Sequence, residues 1–177
     1  IKSVTSDLAN PKEGQIWYND TTNKIRAKIK ISAAWSSGGA LNTGRNGIES
    51  EGTQTANVAF GGNPSSGITG KTEEYNGSSW TAGGNLAQAR RGIAGAGTQT
   101  AGLGFGGYHS PNVQSTATEE YNGSSWTTGG VLNTGRRYLA GTGLQTAALA
   151  FGGQPAPTVG VLTEKYDGTS WTTTSPM

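Results

Sequence analysis

The chain of 177 residues contains no cysteine, which excludes disulfides and thiolate chemistry without fixing a compartment. It contains one histidine, His109. A lone loop histidine is ordinarily a solvated residue, and here it has no second histidine or cysteine with which to hold a metal. No Ser-His-Asp set can be built around a hydrolase elbow. Large aliphatic residues are scarce: Leu, Ile, Val and Phe together number 26. So small an apolar fraction marks disorder when net charge is high, but the formal charge is only +2. No basic tract is present, which argues against nucleic acid as a partner. No apolar run approaches the ~20 residues that span a bilayer, and no signal peptide is visible. No segment sustains a 3.6-residue period, so helices are not expected. The first residue is Ile1, which leads us to expect a processed product or part of a longer chain.

What the chain has in abundance is glycine, 30 residues, and a repeat. Thr72-Glu-Glu-Tyr-Asn-Gly-Ser-Ser-Trp80 returns as Thr118-Glu-Glu-Tyr-Asn-Gly-Ser-Ser-Trp126, and then as Thr163-Glu-Lys-Tyr-Asp-Gly-Thr-Ser-Trp171. The tryptophans are 46 and 45 residues apart, and Trp35 lies 45 residues before Trp80 as the mark of a fourth, degraded copy. A fixed period of this length signals an array of structural units. Asn76-Gly77, Asn122-Gly123 and Asp167-Gly168 are turn pairs, and the Asn-to-Asp exchange preserves turn chemistry. Tyr75, Tyr121 and Tyr166 precede the turn and Trp80, Trp126 and Trp171 follow it, so each pair can meet across a hairpin with a loop of two or four residues.

Residues 1–14 read as an arm with one short strand at Lys2–Thr5. Gln15–Asn19 is a strand, Asp20–Asn23 a turn, and Lys24–Ile31 a half-exposed strand of alternating charged and apolar residues. From Ser37 the full unit runs three times, at about 37–82, 83–128 and 129–174. Each carries a repeated Arg early in the unit, Arg45, Arg90 or Arg136. A run of small residues follows, ending in Phe60-Gly-Gly, Phe105-Gly-Gly or Phe151-Gly-Gly, then a loop (Asn63–Lys71, Tyr108–Ala117, Gln154–Leu162), then the hairpin. Four short strands in about 45 residues is the arithmetic of a propeller blade.

The order of these residues (the Arg, the aromatic with Gly-Gly, Glu-x-Tyr, and Trp five residues later) resembles the kelch repeat. The resemblance covers Ser37–Thr174. It implies an all-β fold of kelch-like β-propeller blades: three full four-stranded antiparallel repeats plus a reduced N-terminal β segment, residues 1–36, acting as a partial blade. The signature residues Arg45, Arg90, Arg136, Tyr75, Tyr121, Tyr166, Trp80, Trp126 and Trp171 are architectural in that family, so no catalytic, metal or cofactor residue is implied. A second stretch, Pro11-Lys-Glu-Gly-Gln-Ile-Trp-Tyr-Asn-Asp-Thr-Thr-Asn-Lys-Ile-Arg26, resembles a segment common in structural proteins of tailed bacteriophages, particularly tail fibres. The Gly/Thr/Ser-rich repeats resemble those of marine phage proteins. Three units are too few for a closed propeller. The N-terminal strands, a second chain, or further chain outside these residues are the three ways to complete it.

The repeated carboxylates Glu73, Glu119 and Glu164 are expected to pair with the repeated arginines. A glycosidase carboxylate pair is the remaining enzymatic alternative. The three post-diglycine loops differ while the strands around them are near copies, and loops on a rigid scaffold are where binding lives or where drift is tolerated. Their polar residues are the candidate ligand contacts: Asn63, Ser65, Ser66, Tyr108, His109, Ser110, Asn112, Gln154 and Thr158. The expected function is a non-enzymatic virion structural protein, a phage tail-fibre or appendage component for assembly or host-surface attachment. Its partners would be other virion proteins, further copies of itself and host-surface glycan, with no cofactor, nucleic acid or membrane insertion. The alternative is a lectin-like glycan- or protein-binding propeller not tied to a virus.

Overall fold

The structure, a computed structural model, describes residues 2–12, 14–28, 37–154 and 160–174. All regular structure among them is β, and they fall into two units, Ile1–Ser37 and Gly38–Met177. None of the described sheets closes on itself.

In the first unit, β1 (Lys2–Val4), β2 (Ile16–Asn19) and β3 (Lys24–Ala27) form a three-stranded sheet in that order. β2 and β3 are antiparallel across the Asp20–Asn23 turn, but β1 runs parallel to β2, a topology unlike that of the repeats. The half-burial expected of β3 is not seen: all four of its residues are exposed, Ile25 among them. β3 is a sheet edge, and Asp7 of the preceding loop reaches it only through an exposed ion pair with Arg26 (3.6 Å), while its stronger contacts are to β2. There Asp7 Oδ1 accepts from Trp17 Nε1 (3.3 Å) and Asn19 Nδ2 (2.9 Å), and Trp17 and Asn19 are the buried residues. The short strand expected at Lys2–Thr5 is seen as Lys2–Val4, and Asp7 ties the loop that follows it to β2. Ile29–Ile31 of the predicted strand and Trp35 lie outside the described residues.

The second unit holds three four-stranded antiparallel sheets. The first is β4 (Glu49–Gly52), β5 (Asn57–Phe60), β6 (Thr72–Tyr75) and β7 (Trp80–Ala82). The second is β8 (Ala94–Thr98), β9 (Ala101–Phe105), β12 (Thr118–Tyr121) and β13 (Trp126–Thr128), with a two-stranded insertion, β10 (Tyr108–His109) and β11 (Val113–Gln114), in its loop. The third is β14 (Ala140–Leu144), β15 (Ala147–Phe151), β16 (Thr163–Tyr166) and β17 (Trp171–Thr173).

The hairpin loop has four residues, because Tyr75 pairs with Trp80, Tyr121 with Trp126 and Tyr166 with Trp171. Asn76 Oδ1 accepts from the backbone N–H groups of Ser78 (3.0 Å) and Ser79 (3.0 Å), and Asp167 Oδ1 does the same for Thr169 (2.9 Å) and Ser170 (2.8 Å). An acceptor oxygen carried on Cγ is all the turn needs, which is why Asn and Asp exchange freely. The flanking rings meet as expected, with centroids 4.8–4.9 Å apart in the three hairpins.

Each repeated arginine forms the expected ion pair, within its own repeat. Arg90 Nη2 bonds Glu119 Oε1 (2.8 Å), while its Nη1 donates to the carbonyls of Gly106 (2.7 Å) and Ala117 (2.9 Å). Arg136 repeats this with Glu164 (2.8 Å), Gly152 O (2.9 Å) and Leu162 O (2.9 Å). Both side chains are fully buried. The guanidinium thus ties the diglycine, the loop end and the third strand together. Arg45 pairs with Glu73 but bonds Thr43 O (3.2 Å) and Ala59 O (3.5 Å) instead of the diglycine carbonyl.

The sheets stack through one interface used twice. Gln99 Nε2 donates to Asn57 O (3.0 Å) and Tyr75 O (2.8 Å) of the first sheet, and Gln145 Nε2 to Gly102 O (2.9 Å) and Tyr121 O (2.8 Å) of the second. Trp126 Nε1 bonds Thr72 Oγ1 (2.9 Å) with its ring 4.7 Å from Phe60; Trp171 Nε1 bonds Thr118 Oγ1 (2.9 Å) with its ring 4.8 Å from Phe105. Tyr121 donates to Glu74 and Tyr166 to Glu120. Burial first, then the bond to Glu120, pushes the Tyr166 phenol up to about 12, so it remains a donor. β8 packs between β4 and β14. A Cβ on Gly141 would lie 2.6 Å from the Phe105 ring and clash with Gly95 O, so these inner strands touch backbone to backbone. The wealth of Gly and Ala is the requirement of that approach.

Candidate functional site

The residue after each repeated arginine bridges the residue after each diglycine: Asn46 with Asn63, Arg91 with Tyr108, and Arg137 with Gln154. The first residues of the three loops are thereby brought to equivalent positions along one end of the stack. Adjacent repeats are linked there by Gly92 N to Gly47 O (3.0 Å) and Tyr138 N to Gly92 O (2.9 Å). Gly47 and Gly92 sit at φ +61° and +60°, and Tyr138 holds the same left-handed backbone at φ +53°. A bulky residue there is strained by roughly 1–2 kcal/mol. Strain of this kind gathers where a side chain is wanted for function.

Tyr138 is exposed and its hydroxyl lies 3.2 Å from that of buried Tyr108, the two rings 5.9 Å apart and edge on. The Arg91 guanidinium lies 4.7 Å from the Tyr108 ring centroid; that of Arg137 lies 4.9 Å from Tyr108 and 5.7 Å from Tyr138. Arg137 Nη1 donates to Asn112 Oδ1 (2.5 Å) and its Nε to Gln154 Oε1 (3.1 Å). Asn112 itself takes a positive φ, +102°. Among the described residues neither Arg91 nor Arg137 has a carboxylate partner, and Arg91 Nε is buried without a hydrogen bond. Burial, ahead of the bond to Tyr138, raises the Tyr108 phenol above its ordinary value. The result is a face of two unneutralised guanidinium planes, two phenols and two side-chain amides. Such a surface can stack on a ring and hydrogen-bond an anionic or polyhydroxyl ligand.

Of the residues marked from sequence, Tyr108, Asn112 and Gln154 are brought together around Arg137. Asn63 and Ser65 instead line a shallow hollow of about 410 Å³ in the first repeat with Gly44, Arg45, Asn46 and Pro64. His109 turns to its own loop, Nδ1 3.0 Å from Ser110 O, and Ser66 and Ser110 are exposed. Thr158 lies outside the described residues. Arg91, Arg137 and Tyr138 were not marked. Their signal is departure from the repeat: Arg91 and Arg137 stand where the first copy has Asn46, and Tyr138 stands where the others have Gly47 and Gly92. A second hollow of about 300 Å³ is lined in part by Thr43, Lys71, Glu73 and Asn85; its carboxylate is already held by Arg45 and by Asn42 N (2.7 Å). No cluster of three His, Cys, Asp or Glu suited to a metal occurs among the described residues.

The fold and this face define an all-β protein of stacked four-stranded sheets with a cationic aromatic surface at one end. No protein family's sequence pattern matches the chain, and no curated protein matches it. Among solved structures, YjhT is similar in fold, with a TM-score of 0.61 at 14% identity, over 89% of this chain and 51% of that one. The chain thus spans about half the length of YjhT.

Proposed function

We propose that the three sheets are blades of a kelch-like β-propeller that serves, without enzymatic activity, as a structural component of a virus particle. The component is a tail fibre or related appendage, and it attaches to host-surface glycan through the face around Arg137. The propeller reading is supported by the backbone contact of the inner strands β4, β8 and β14. The virion reading is supported by the resemblance of Pro11–Arg26 to tailed-phage structural proteins. The binding reading is carried by one observation: Arg91 and Arg137 stack on Tyr108 and Tyr138 with no carboxylate among the described residues to neutralise them.

Calorimetric titration with acidic and neutral oligosaccharides tests this. Saturable binding to an acidic oligosaccharide is expected, weakened at least about tenfold (1.4 kcal/mol) in Arg137→Ala with the thermal transition unchanged. Binding that survives both Arg137→Ala and Tyr138→Ala refutes the site. The second reading, a binding propeller with no virus attached, rests on the same face. It is favoured if sugar binds and the chain shows no affinity for other particle proteins.

A further inference from the structure

The stack has two outer faces, and they carry opposite halves of the interface that joins the sheets inside it. On the third sheet, Thr163 occupies the place of Thr72 and Thr118, whose hydroxyls accept from Trp126 and Trp171. Thr163 Oγ1 is buried and has no partner. Phe151 occupies the place of Phe60 and Phe105; those two are fully buried beneath the tryptophan of the next sheet, while Phe151 is partly open. The first sheet presents the other half. Gln54 stands where Gln99 and Gln145 bridge to the preceding sheet, and it is exposed. Trp80 stands where Trp126 and Trp171 do, its Nε1 bonded to Gly39 O (3.0 Å) instead of to a threonine.

We propose that these faces join two copies of this chain, the first sheet of each docking on the third sheet of the other. Trp80 of one copy covers Phe151 of its partner and, with a small shift of the residues over Thr163, transfers its N–H bond from Gly39 O to the unpartnered Thr163 hydroxyl. Gln54 donates to the carbonyls of the partner at the places equivalent to Gly102 and Tyr121. One position breaks the pattern: Lys165 stands where Glu74 and Glu120 accept tyrosine hydroxyls. There the bond reverses, the ammonium donating to the Tyr75 hydroxyl.

A second copy is the fitting occupant for two reasons. The interface already exists twice inside the chain with the same residues. The chain also spans 51% of YjhT, a single chain of similar fold, so two copies supply the length that one chain supplies there. Unlike faces build a closed ring when the rotation closes and a filament when it does not; three sheets from each of two copies close the ring. The proposal rests on the repeat geometry and is independent of ligand and virion, so failure of sugar binding leaves it standing.

Sedimentation and light scattering of the full 177-residue chain from about 1 to about 100 μM test it, as the range in which interfaces of this kind resolve. A dimer that dissociates on dilution is expected. Gln54→Ala should weaken it about tenfold, and Phe151→Asp should abolish it. Lys165→Glu, which restores the internal tyrosine–carboxylate bond, should tighten it severalfold. Circular dichroism verifies that the variants fold, and Gln54 and Lys165 are exposed enough to be changed without disturbing a core. A monomer throughout, an open filament, or a dimer indifferent to both Gln54→Ala and Lys165→Glu overturns the proposal.

Discussion

Arg90→Met is the sharpest probe of how each repeat is held. The substitution keeps a flexible apolar side chain of similar reach but removes three bonds: those to Gly106 O, Ala117 O and Glu119. Glu119, only 3% exposed, would keep the backbone N–H of Ala87 at 2.7 Å and lose its counter-charge. Breaking a buried pair from one side costs about 3–5 kcal/mol, because the remaining charge stays desolvated. For a chain of this size about 2–4 °C is lost per kcal/mol, so the thermal midpoint should fall by roughly 6–20 °C. Thermal and urea unfolding followed by circular dichroism measure it, and an unchanged urea slope shows that stability alone has moved. The double variant Arg90→Met/Glu119→Leu removes the stranded charge and should recover most of the loss. Arg45→Met should cost less than Arg90→Met, since Arg45 lacks the short bonds to the diglycine and loop-end carbonyls. A single variant within about 0.5 kcal/mol of the parent, the level of an ordinary surface change, would refute the clamp.

Three further outcomes are expected besides the loss of sugar binding in Arg137→Ala. Burial, more than the charge of Glu49, pushes the Glu51 carboxyl up to about 9. Its folded value lies above the unfolded value near 4.3, so the stability of its neutral form is complete below about pH 4 and is lost as pH rises towards 9. Glu51→Gln should flatten that decline between about pH 5 and 9, as read from urea midpoints across the range. Gly141→Ala should destabilise by at least about 1–3 kcal/mol, an overpacking cost at the inner strands that thermal unfolding will register. Tyr138→Gly should raise the melting temperature slightly, by relief of about 1 kcal/mol of left-handed strain, while weakening any ligand bound beside Arg137.

Repetition made most of the second unit legible. The Asn-Gly and Asp-Gly pairs, the flanking Tyr and Trp, and the Arg and Glu at fixed intervals each mark an interaction that recurs, so three copies report it three times. The length of the hairpin loop was not legible, because a two-residue and a four-residue turn both accept Asn-Gly; the pairing of Tyr75 with Trp80 across the strands decides for four. Interactions made once leave no such trace. The parallel β1–β2 pair, and the bonds of Asp7 to Trp17 and Asn19 beside it, occur once and have no second copy in the sequence to mark them. The face around Arg137 lies in the places where the copies disagree, and disagreement reads equally well as drift until Tyr108, Arg91 and Tyr138 are seen stacked.

The glutamine bridges carry one more consequence. Gln99 and Gln145 give both amide hydrogens to main-chain carbonyls of the preceding sheet, never to a side chain. A carbonyl is present whatever residue bears it. The glutamine part of the joint is therefore nearly blind to what the neighbour is made of, and a repeat duplicated, deleted or exchanged at the DNA level has only the Trp–Thr, Trp–Phe and Tyr–Glu contacts and the small inner-strand residues left to match. Variation can then accumulate in the loops of one copy while the adjoining copies stay as they are.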